Sequence, residues 1–203
     1  WPFHIPDVPV VAARSYLTDA AYSDLRKVKV FNLCKSYRYQ SMGYYVSLLA
    51  TARGHKPLPD VTTIQDLKTV SIVRAMADDL DALMQRGLRP IKSDDFTLSI
   101  YFGQNTARRY EDLAARLFRL FPAPLLRATF ARADDEWTLS NLGAISASDV
   151  PEAHREFLVR AATEFFAQNR LPSRPRVSTQ YDLAILHDPE EERRPSNTGA
   201  LKH

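Results

Sequence analysis

Residues 28–54 read VKVFNLCKSYRYQSMGYYVSLLATARG, and this stretch decides the fold. It begins with an apolar run that has the β-branched and aromatic character of a buried strand, supplied by Val28, Val30, Phe31 and Leu33. A polar turn follows, and from Arg38 onward the apolar residues recur at helical spacing. The order strand, turn, helix predicts an α/β protein with polar side chains at a strand's carboxyl end, where open α/β sheets bind ligands.

The predicted helix has one apolar stripe, formed by Tyr45, Leu48, Leu49 and Ala52. Gly54, followed by His55, Lys56 and Pro57, gives the usual end of a helix. Gly43 lies one turn inside, where glycine costs about 1 kcal/mol relative to alanine. A glycine at this position indicates a close approach between the helix and the sheet.

Composition limits the class of protein. The chain has 203 residues, of which 45% are hydrophobic, so it can bury the core of one domain, or of one domain plus a fragment. A net charge of +3 gives no reason to expect nucleic acid. No apolar run approaches the roughly 20 residues that span a bilayer. The single cysteine, Cys34, excludes an internal disulfide, and we expect a soluble protein of the cytoplasm.

The rest of the chain alternates between strand and helix patterns. Strands are predicted at 8–13, 96–102, 125–131, 137–142 and 181–186, with Asp134 and Asp135 turning a hairpin. Residues 57–60 are predicted as a loop. Helices are predicted at 70–87 and 107–120, and after Pro151, with Ser148 or Asp149 as the cap and Phe157, Leu158, Ala161 and Phe165 on the inner face.

These elements predict an α/β fold with one layered mixed sheet of about five strands flanked by helices. We expect an accessory domain over residues 1–171, then a proline-rich linker and the start of a further segment over residues 172–203. The chain starts at Trp1, without a methionine, and stops where a helix could open, so the sequence reads as a piece of a longer protein.

Four blocks carry a resemblance to a known family: residues 31–59 (FNLCKSYRYQSMGYYVSLLATARGHKPLP), 100–103 (IYFG), 121–130 (FPAPLLRATF) and 181–197 (YDLAILHDPEEERRPSN). Together they resemble the amino-terminal region of RimK-like ATP-grasp ligases. The resemblance implies a domain that precedes an ATP-grasp module. In that module ATP and magnesium would convert a carboxylate into an acyl phosphate, which an amine then attacks. Those elements would lie after Lys202, so this piece is not expected to ligate by itself.

The polar turn is the candidate ligand site. Lys35 and Arg38 supply positive charge, Ser36 and Ser41 supply hydroxyls, and free amides at the helix start favour a phosphate or carboxylate. Arg108, at another predicted helix start, is a second pointer to a polar cleft. We therefore expect a small anionic or peptide-like ligand. In the alternative interpretation both cations are solvated and Ser36 only caps the helix.

Two further hypotheses stay open. Cys34, beside Lys35 and a helix start, could act as the nucleophile of a hydrolase or transferase with His55 or His154 as base. A lone cysteine after an apolar strand is more often a small buried side chain. The domain could instead be a structural docking or dimerisation module, and thus a homo-oligomer.

Metal and nucleic-acid sites are not expected. The metal-ligating residue types lack the paired spacing of zinc sites: His4, Cys34, His55, His154 and His187. The tyrosines around Arg38 could stack on bases, but their spacing suits packing against a sheet as well: Tyr37, Tyr39, Tyr44 and Tyr45.

Overall fold

The computed structural model describes residues 4–5 and 8–168 of the chain. Within this part the fold is α/β, as predicted, but the strands form two sheets instead of one. Strands β1 (Lys29–Phe31) and β2 (Lys56–Leu58) pair in parallel. Strands β3 (Asp95–Tyr101), β4 (Leu125–Ala133) and β5 (Glu136–Ala144) form an antiparallel sheet. The prediction of a single layered sheet of about five strands is therefore wrong.

The helices of the described residues connect and cover these sheets. They are α1 (Ala13–Thr18), α2 (Met42–Ala52), α3 (Val61–Asp66), α4 (Val70–Ala77), α5 (Asp81–Leu88), α6 (Glu111–Leu120) and α7 (Arg155–Ala167).

Side chains of α7 explain why the two sheets stay separate. Phe31, the last residue of β1, packs edge-on against Phe165 and Phe166, with ring centroids 5.8 and 4.4 Å away. Phe102, directly after β3, contacts the same two rings at 5.3 and 5.6 Å. Aromatic rings from α7 thus lie between the end of β1 and the end of β3. Packing of rings replaces the backbone pairing that a continuous sheet would need.

The segment quoted above forms a β1–α2–β2 unit. Lys56 N donates to Val28 O at 2.8 Å and Asn32 N donates to Leu58 O at 2.8 Å, so the pairing extends one residue beyond each end of β1. The loop predicted at 57–60 is wrong in its first part, because Lys56–Leu58 is a strand. This strand was not predicted because two prolines occur in the segment, and proline lacks the N–H that a central strand donates.

Helix α2 buries a different face from the one that its apolar stripe predicts. Its buried residues are Gly43, Val46, Ser47 and Ala50. Val46 and Ala50 pack with Tyr16 of α1 in a small core that also includes Val30 of β1. Tyr45, Leu48 and Ala52, from the predicted apolar stripe, are exposed. The helix therefore presents small residues to the protein and larger apolar ones to the outside.

The amino-terminal strand predicted at 8–13 is also wrong. Val10 and Val11 are 66% and 39% exposed, and α1 begins at Ala13. This apolar segment has no neighbouring strand to pair with among the described residues, so hydrogen bonds between strands do not stabilise an extended conformation. Tyr16 on α1 provides the burial that the valines were expected to provide.

The main core lies between the antiparallel sheet and helices α4, α5 and α6. The predicted helix 70–87 is divided by a 3₁₀ turn at Asp78–Leu80. Of the apolar residues that recur along it, Val73, Ala77, Leu80 and Met84 are buried, whereas Val70 is 51% exposed. The strand at 96–102 and the helix at 107–120 are confirmed within a few residues. Members of this core with at most 3% exposure include Leu80, Leu88, Leu98, Ile100, Leu117, Phe121, Phe130 and Leu139.

The hairpin β4–β5 is confirmed, with its turn at the predicted place. Asp134 and Asp135 have φ of 51° and 64°, the left-handed conformations that a two-residue hairpin turn requires. After β5, Ser146 caps a 3₁₀ turn at Ala147–Asp149, so the predicted helix cap at Ser148 or Asp149 is wrong.

Helix α7 begins later than expected, at Arg155, and buries Leu158 and Ala161 on its predicted inner face. The linker at 172–203 and the strand at 181–186 lie outside the described residues. No helix among those described is long and apolar enough to cross a membrane.

Candidate functional site

The polar turn between β1 and α2, residues 32–41, is organised by Asn32. This residue is 2% exposed. Its side-chain amide donates to the Gly43 carbonyl at 2.7 Å and to the Ser47 hydroxyl at 2.8 Å, and its carbonyl oxygen accepts the Cys34 N–H at 3.2 Å. One buried side chain therefore fixes the end of β1, the turn and the first turns of α2 relative to each other.

Two more hydrogen bonds extend this network. Ser47 Oγ donates to the Pro59 carbonyl at 2.7 Å, which connects α2 to the segment after β2. The Tyr37 hydroxyl donates to the Asn32 backbone carbonyl at 2.5 Å. Burial raises the pKa of Tyr37, and the nearby Cys34 acts in the same direction. The phenol therefore stays neutral and keeps its role as a donor.

Gly43 permits the turn to lie directly on α2. A Cβ at this position would clash with the Ser36 carbonyl oxygen and would lie 2.8 Å from the Cβ of Cys34 and 3.2 Å from the Tyr37 ring. The close approach indicated by the sequence exists, but the partner of the helix is the turn itself. A side chain here would push the turn away from the helix start.

The two predicted serines have different tasks. Ser41, not Ser36, is the N-cap of α2: its hydroxyl accepts the Tyr44 N–H at 3.3 Å and donates to the Ser36 carbonyl at 2.9 Å. Ser36 Oγ accepts the Arg38 N–H at 3.3 Å, which leaves the hydroxyl hydrogen without an acceptor among the described residues. Ser41 therefore shapes the turn, whereas Ser36 keeps a donor for another group.

Lys35 and Arg38 are both exposed on this turn. In the part of the chain that the structure describes, neither forms an ion pair. The N–H groups of Met42 and Gly43, at the start of α2, also have no acceptor among the described residues. Two cations, one hydroxyl and a helix start thus belong to one short segment with unused capacity for an anion.

The β1–α2–β2 unit around the turn, residues 25–59, has positively charged side chains and no negatively charged ones. Residues 25–59 contain no aspartate or glutamate. Their basic residues are Arg26, Lys27, Lys29, Lys35, Arg38, Arg53 and Lys56. The remainder of the chain holds 20 basic and 24 acidic residues, so a nearly balanced total conceals a strongly basic β1–α2–β2 unit. Local potential of one sign concentrates ligands of the opposite sign.

Cys34 lacks the surroundings of a nucleophile. Burial raises the pKa of its thiol, which disfavours the thiolate. His55 Nδ1 lies 2.8 Å from the Tyr16 hydroxyl, and its Nε2 lies 3.1 Å from the Leu25 carbonyl. His154 Nδ1 lies 2.9 Å from the Tyr101 hydroxyl. Both candidate bases have other partners, so nothing in the geometry favours a cysteine-dependent hydrolase.

Arg108 is exposed and belongs to a different element from the turn. It begins a 3₁₀ turn, Arg108–Tyr110, that leads into α6, and its side chain makes no hydrogen bond or ion pair within the described residues. Lys35, Ser36, Arg38 and Ser41 share one turn, and the part of Arg108 in this site stays a prediction.

A separate groove of about 390 Å³ runs between α5 and α6. Its charged lining residues are Asp79, Arg86, Asp112, Arg116 and Arg119, all exposed, and Leu80 and Leu83 contribute apolar atoms. None of the site residues predicted from the sequence lines this groove. The mixture of both charges makes it a less selective anion site than the turn.

Magnesium would need acidic ligands, and the described part of the chain does not gather three of them. Among the described residues no three histidine, cysteine, aspartate or glutamate side chains come close enough to hold a metal ion. A magnesium-bound nucleotide needs acidic ligands and a phosphate-covering loop. The turn offers cations and hydroxyls, which suit an anionic group and not a metal ion.

Sequence reasoning missed Asn32, the residue that organises the site. The available signal was a single amide side chain between the apolar Phe31 and Leu33, directly after β1. A buried amide requires several partners, and a strand end facing a helix start supplies them.

Comparisons with known proteins agree with the blocks quoted above. No curated protein and no solved structure gives a significant match to the chain. One family does match, described as the RimK-like ATPgrasp N-terminal domain, and the match covers residues 13–161. This range contains the basic β1–α2–β2 unit and both sheets. The chain belongs to the RimK-like ATPgrasp N-terminal domain family.

Proposed function

We propose that this chain is the accessory, substrate-orienting domain of an ATP-dependent carboxylate-amine ligase. Its turn at residues 32–41 holds an acidic group of the substrate through Lys35 and Arg38. The single observation that carries this proposal is the pair of exposed, unpaired cations in a unit without any acidic residue. Family membership supplies the context, because an amino-terminal domain of this kind implies a linked ATP-grasp module.

The chemistry of the turn suits a carboxylate or phosphate. A guanidinium and an ammonium group provide charge-assisted hydrogen bonds, the Ser36 hydroxyl provides a further donor, and the start of α2 adds a favourable dipole. Each cation is solvated, so its contribution depends on ionic strength. A small acidic group would replace water at several donors at once, which gives orientation as well as affinity.

Rigidity supports an orienting role. Asn32, Ser41 and the close contact at Gly43 fix the backbone of the turn before any ligand arrives. A pre-organised backbone loses little conformational entropy on binding. A substrate held there would be presented in one orientation to the linked module, which supplies the ATP chemistry.

Steady-state kinetics of the full-length protein test the proposal. Carboxylate and amine pairs are screened by ADP release, and the active pair is measured with the Lys35→Gln/Arg38→Gln double variant. We expect the KM of the acidic substrate to rise about ten-fold, which corresponds to about 1.4 kcal/mol of lost binding. The Arg38→Lys variant keeps the charge and is expected to retain most of the affinity.

A matched control is Lys56→Gln, which removes an exposed charge from the same unit at β2. It is expected to change the KM by less than two-fold or so, because a distant solvated charge is largely screened. Equal KM values for the wild type and the double variant would contradict the proposed role of the turn.

A further inference from the structure

The outer face of α2 is apolar and exposed. Tyr45 and Leu48 are 43% and 42% exposed, Met42 at the helix start is 47% exposed, and Ala52 completes the face one turn further on. We call Met42, Tyr45, Leu48 and Ala52 the outer stripe. These residues recur at helical spacing and lie opposite the buried Gly43, Val46, Ser47 and Ala50.

The composition of α2 makes this exposure unusual. The eleven residues of the helix, MGYYVSLLATA, include no charged side chain. A surface helix of a globular protein normally carries charged or polar residues on its outer face, whereas a helix that is apolar all round is normally buried on all sides. One side of α2 is buried within this domain, and the other side has the composition of a buried surface without a cover among the described residues.

Aromatic contacts extend the outer stripe toward the candidate ligand turn. Tyr44 packs against Tyr39 at 5.3 Å and against Tyr45 at 5.8 Å, and the Lys68 ammonium lies 5.9 Å from the Tyr44 ring. Tyr39 itself is 69% exposed. Tyrosine and methionine are enriched in protein interfaces, where they contribute large contact areas at low entropic cost.

We propose that the outer stripe of α2 is the docking surface for the linked ATP-grasp module, and that the contacting face of that module is apolar with an acidic rim. This inference rests on the proposed function only in taking that module as the neighbour. A linked module needs little intrinsic affinity, since linkage raises its effective concentration to the millimolar range.

Charge selects the linked module over a second copy of this chain. A homodimer through α2 would place two basic β1–α2–β2 units face to face, and neither has an acidic residue within residues 25–59 to balance its seven basic residues. Like charges across an interface oppose association. A partner with acidic residues around an apolar patch complements the same surface.

Thiol labelling of the full-length protein tests the docking. In a Cys34→Ala background, Leu48→Cys places a thiol in the outer stripe and Ala133→Cys places one beside the β4–β5 turn, where Ala133 is also exposed. Alkylation of each site is followed by peptide mass spectrometry in the full-length protein and in the 203-residue chain. Circular dichroism of the 203-residue chain confirms that both variants fold.

With an effective concentration of about 1 mM and a dissociation constant of about 0.1 mM, the stripe would be covered about nine-tenths of the time. Labelling at Leu48→Cys is then expected to be about ten-fold slower in the full-length protein than in the 203-residue chain, with equal rates at Ala133→Cys. Equal rates at Leu48→Cys in both proteins would overturn the proposal.

Slower labelling of Leu48→Cys in the 203-residue chain as its concentration increases would also overturn the proposal. It would indicate that a second copy of the chain covers the outer stripe. The readout needs neither substrate nor ATP. A failure of Lys35 and Arg38 to bind an acidic substrate would leave the labelling result unchanged, so the two proposals fail separately.

Discussion

The side-chain amide of Asn32 donates to the backbone carbonyl of Gly43 across 2.7 Å, so the end of β1 and the first turn of α2 form one rigid corner. Together with a second hydrogen bond, to Ser47, this contact holds the turn that carries Lys35 and Arg38 against the helix. The corner thus connects a buried amide at the end of β1 to the position of two cations on the surface.

Replacing Asn32 by alanine is expected to lower the free energy of unfolding by about 2–3 kcal/mol, because buried partners lose their hydrogen bonds. Urea denaturation of the variant measures this value. Asn141→Ala, on the exposed side of β5, is the control and is expected to change stability by less than about 0.5 kcal/mol. Equal effects of the two substitutions would contradict the central role of Asn32.

Gly43 and Gly87 are both helical, and they are expected to respond to alanine in opposite directions. Gly43→Ala would force a Cβ against the Ser36 carbonyl oxygen and is expected to destabilise the protein by about 2–4 kcal/mol. Gly87→Ala meets no atom within 4 Å and is expected to stabilise α5 by up to about 1 kcal/mol. Thermal unfolding of both variants measures these changes in stability. A neutral Gly43→Ala would show that the turn does not rest on α2.

Burial raises the pKa of Tyr37, so this phenol ionises less readily in the folded protein than in the unfolded chain. The unfolded state therefore loses its proton first as the pH rises above about 10, and stability is expected to fall with increasing pH from there. The Tyr37→Phe variant removes this contribution. Its unfolding free energy is expected to be lower at neutral pH but to decline less steeply above pH 10 or so. Parallel curves for the two proteins would contradict the assignment.

Burial also raises the pKa of the Cys34 thiol, and alkylation at neutral pH is therefore expected to be slow. Iodoacetamide should react at least about ten-fold more slowly with Cys34 than with an exposed thiol in Ala133→Cys made in the Cys34→Ala background. The rate should still be rising with pH where the exposed control has levelled off. Fast reaction of Cys34 at pH 7 would revive the nucleophile hypothesis.

The sequence predicted the elements whose polar and apolar residues are clearly segregated. The antiparallel strands, the hairpin at Asp134 and Asp135, and α6 all have such patterns, and all were found in place. The β1–turn–α2 order was also predictable, because the apolar run ends abruptly at a polar turn. The family was recognisable from the same segment.

Elements whose polar and apolar residues are not segregated were harder to predict from the sequence. Helix α2 has no charged residue, so the pattern could not show which side faces solvent, and close packing of Gly43, Ser47 and Ala50 decided it. Strand β2 is short and carries Pro57, and only pairing with β1 stabilises it. Whether the strands form one sheet or two depends on the rings of Phe165 and Phe166, which no local pattern in the sequence reveals.

The candidate site was predictable in its residue types but not in its construction. Lys35, Ser36, Arg38 and Ser41 do lie together on one turn. The roles of Ser36 and Ser41 could not be separated by sequence, because either serine can cap a helix that starts nearby. Arg108 begins the 3₁₀ turn before α6, and its part in the site stays a prediction.

An NMR titration of the isotope-labelled full-length protein with glutarate, a simple dicarboxylate, tests the central claim most directly. We expect saturable shifts of the backbone amides from Lys35 to Gly43, abolished in the Lys35→Gln/Arg38→Gln variant and weakened by added salt. Shifts confined to the groove that contains Arg86, Arg116 and Arg119, or no shift at the turn, would contradict the claim that Lys35 and Arg38 hold an acidic group.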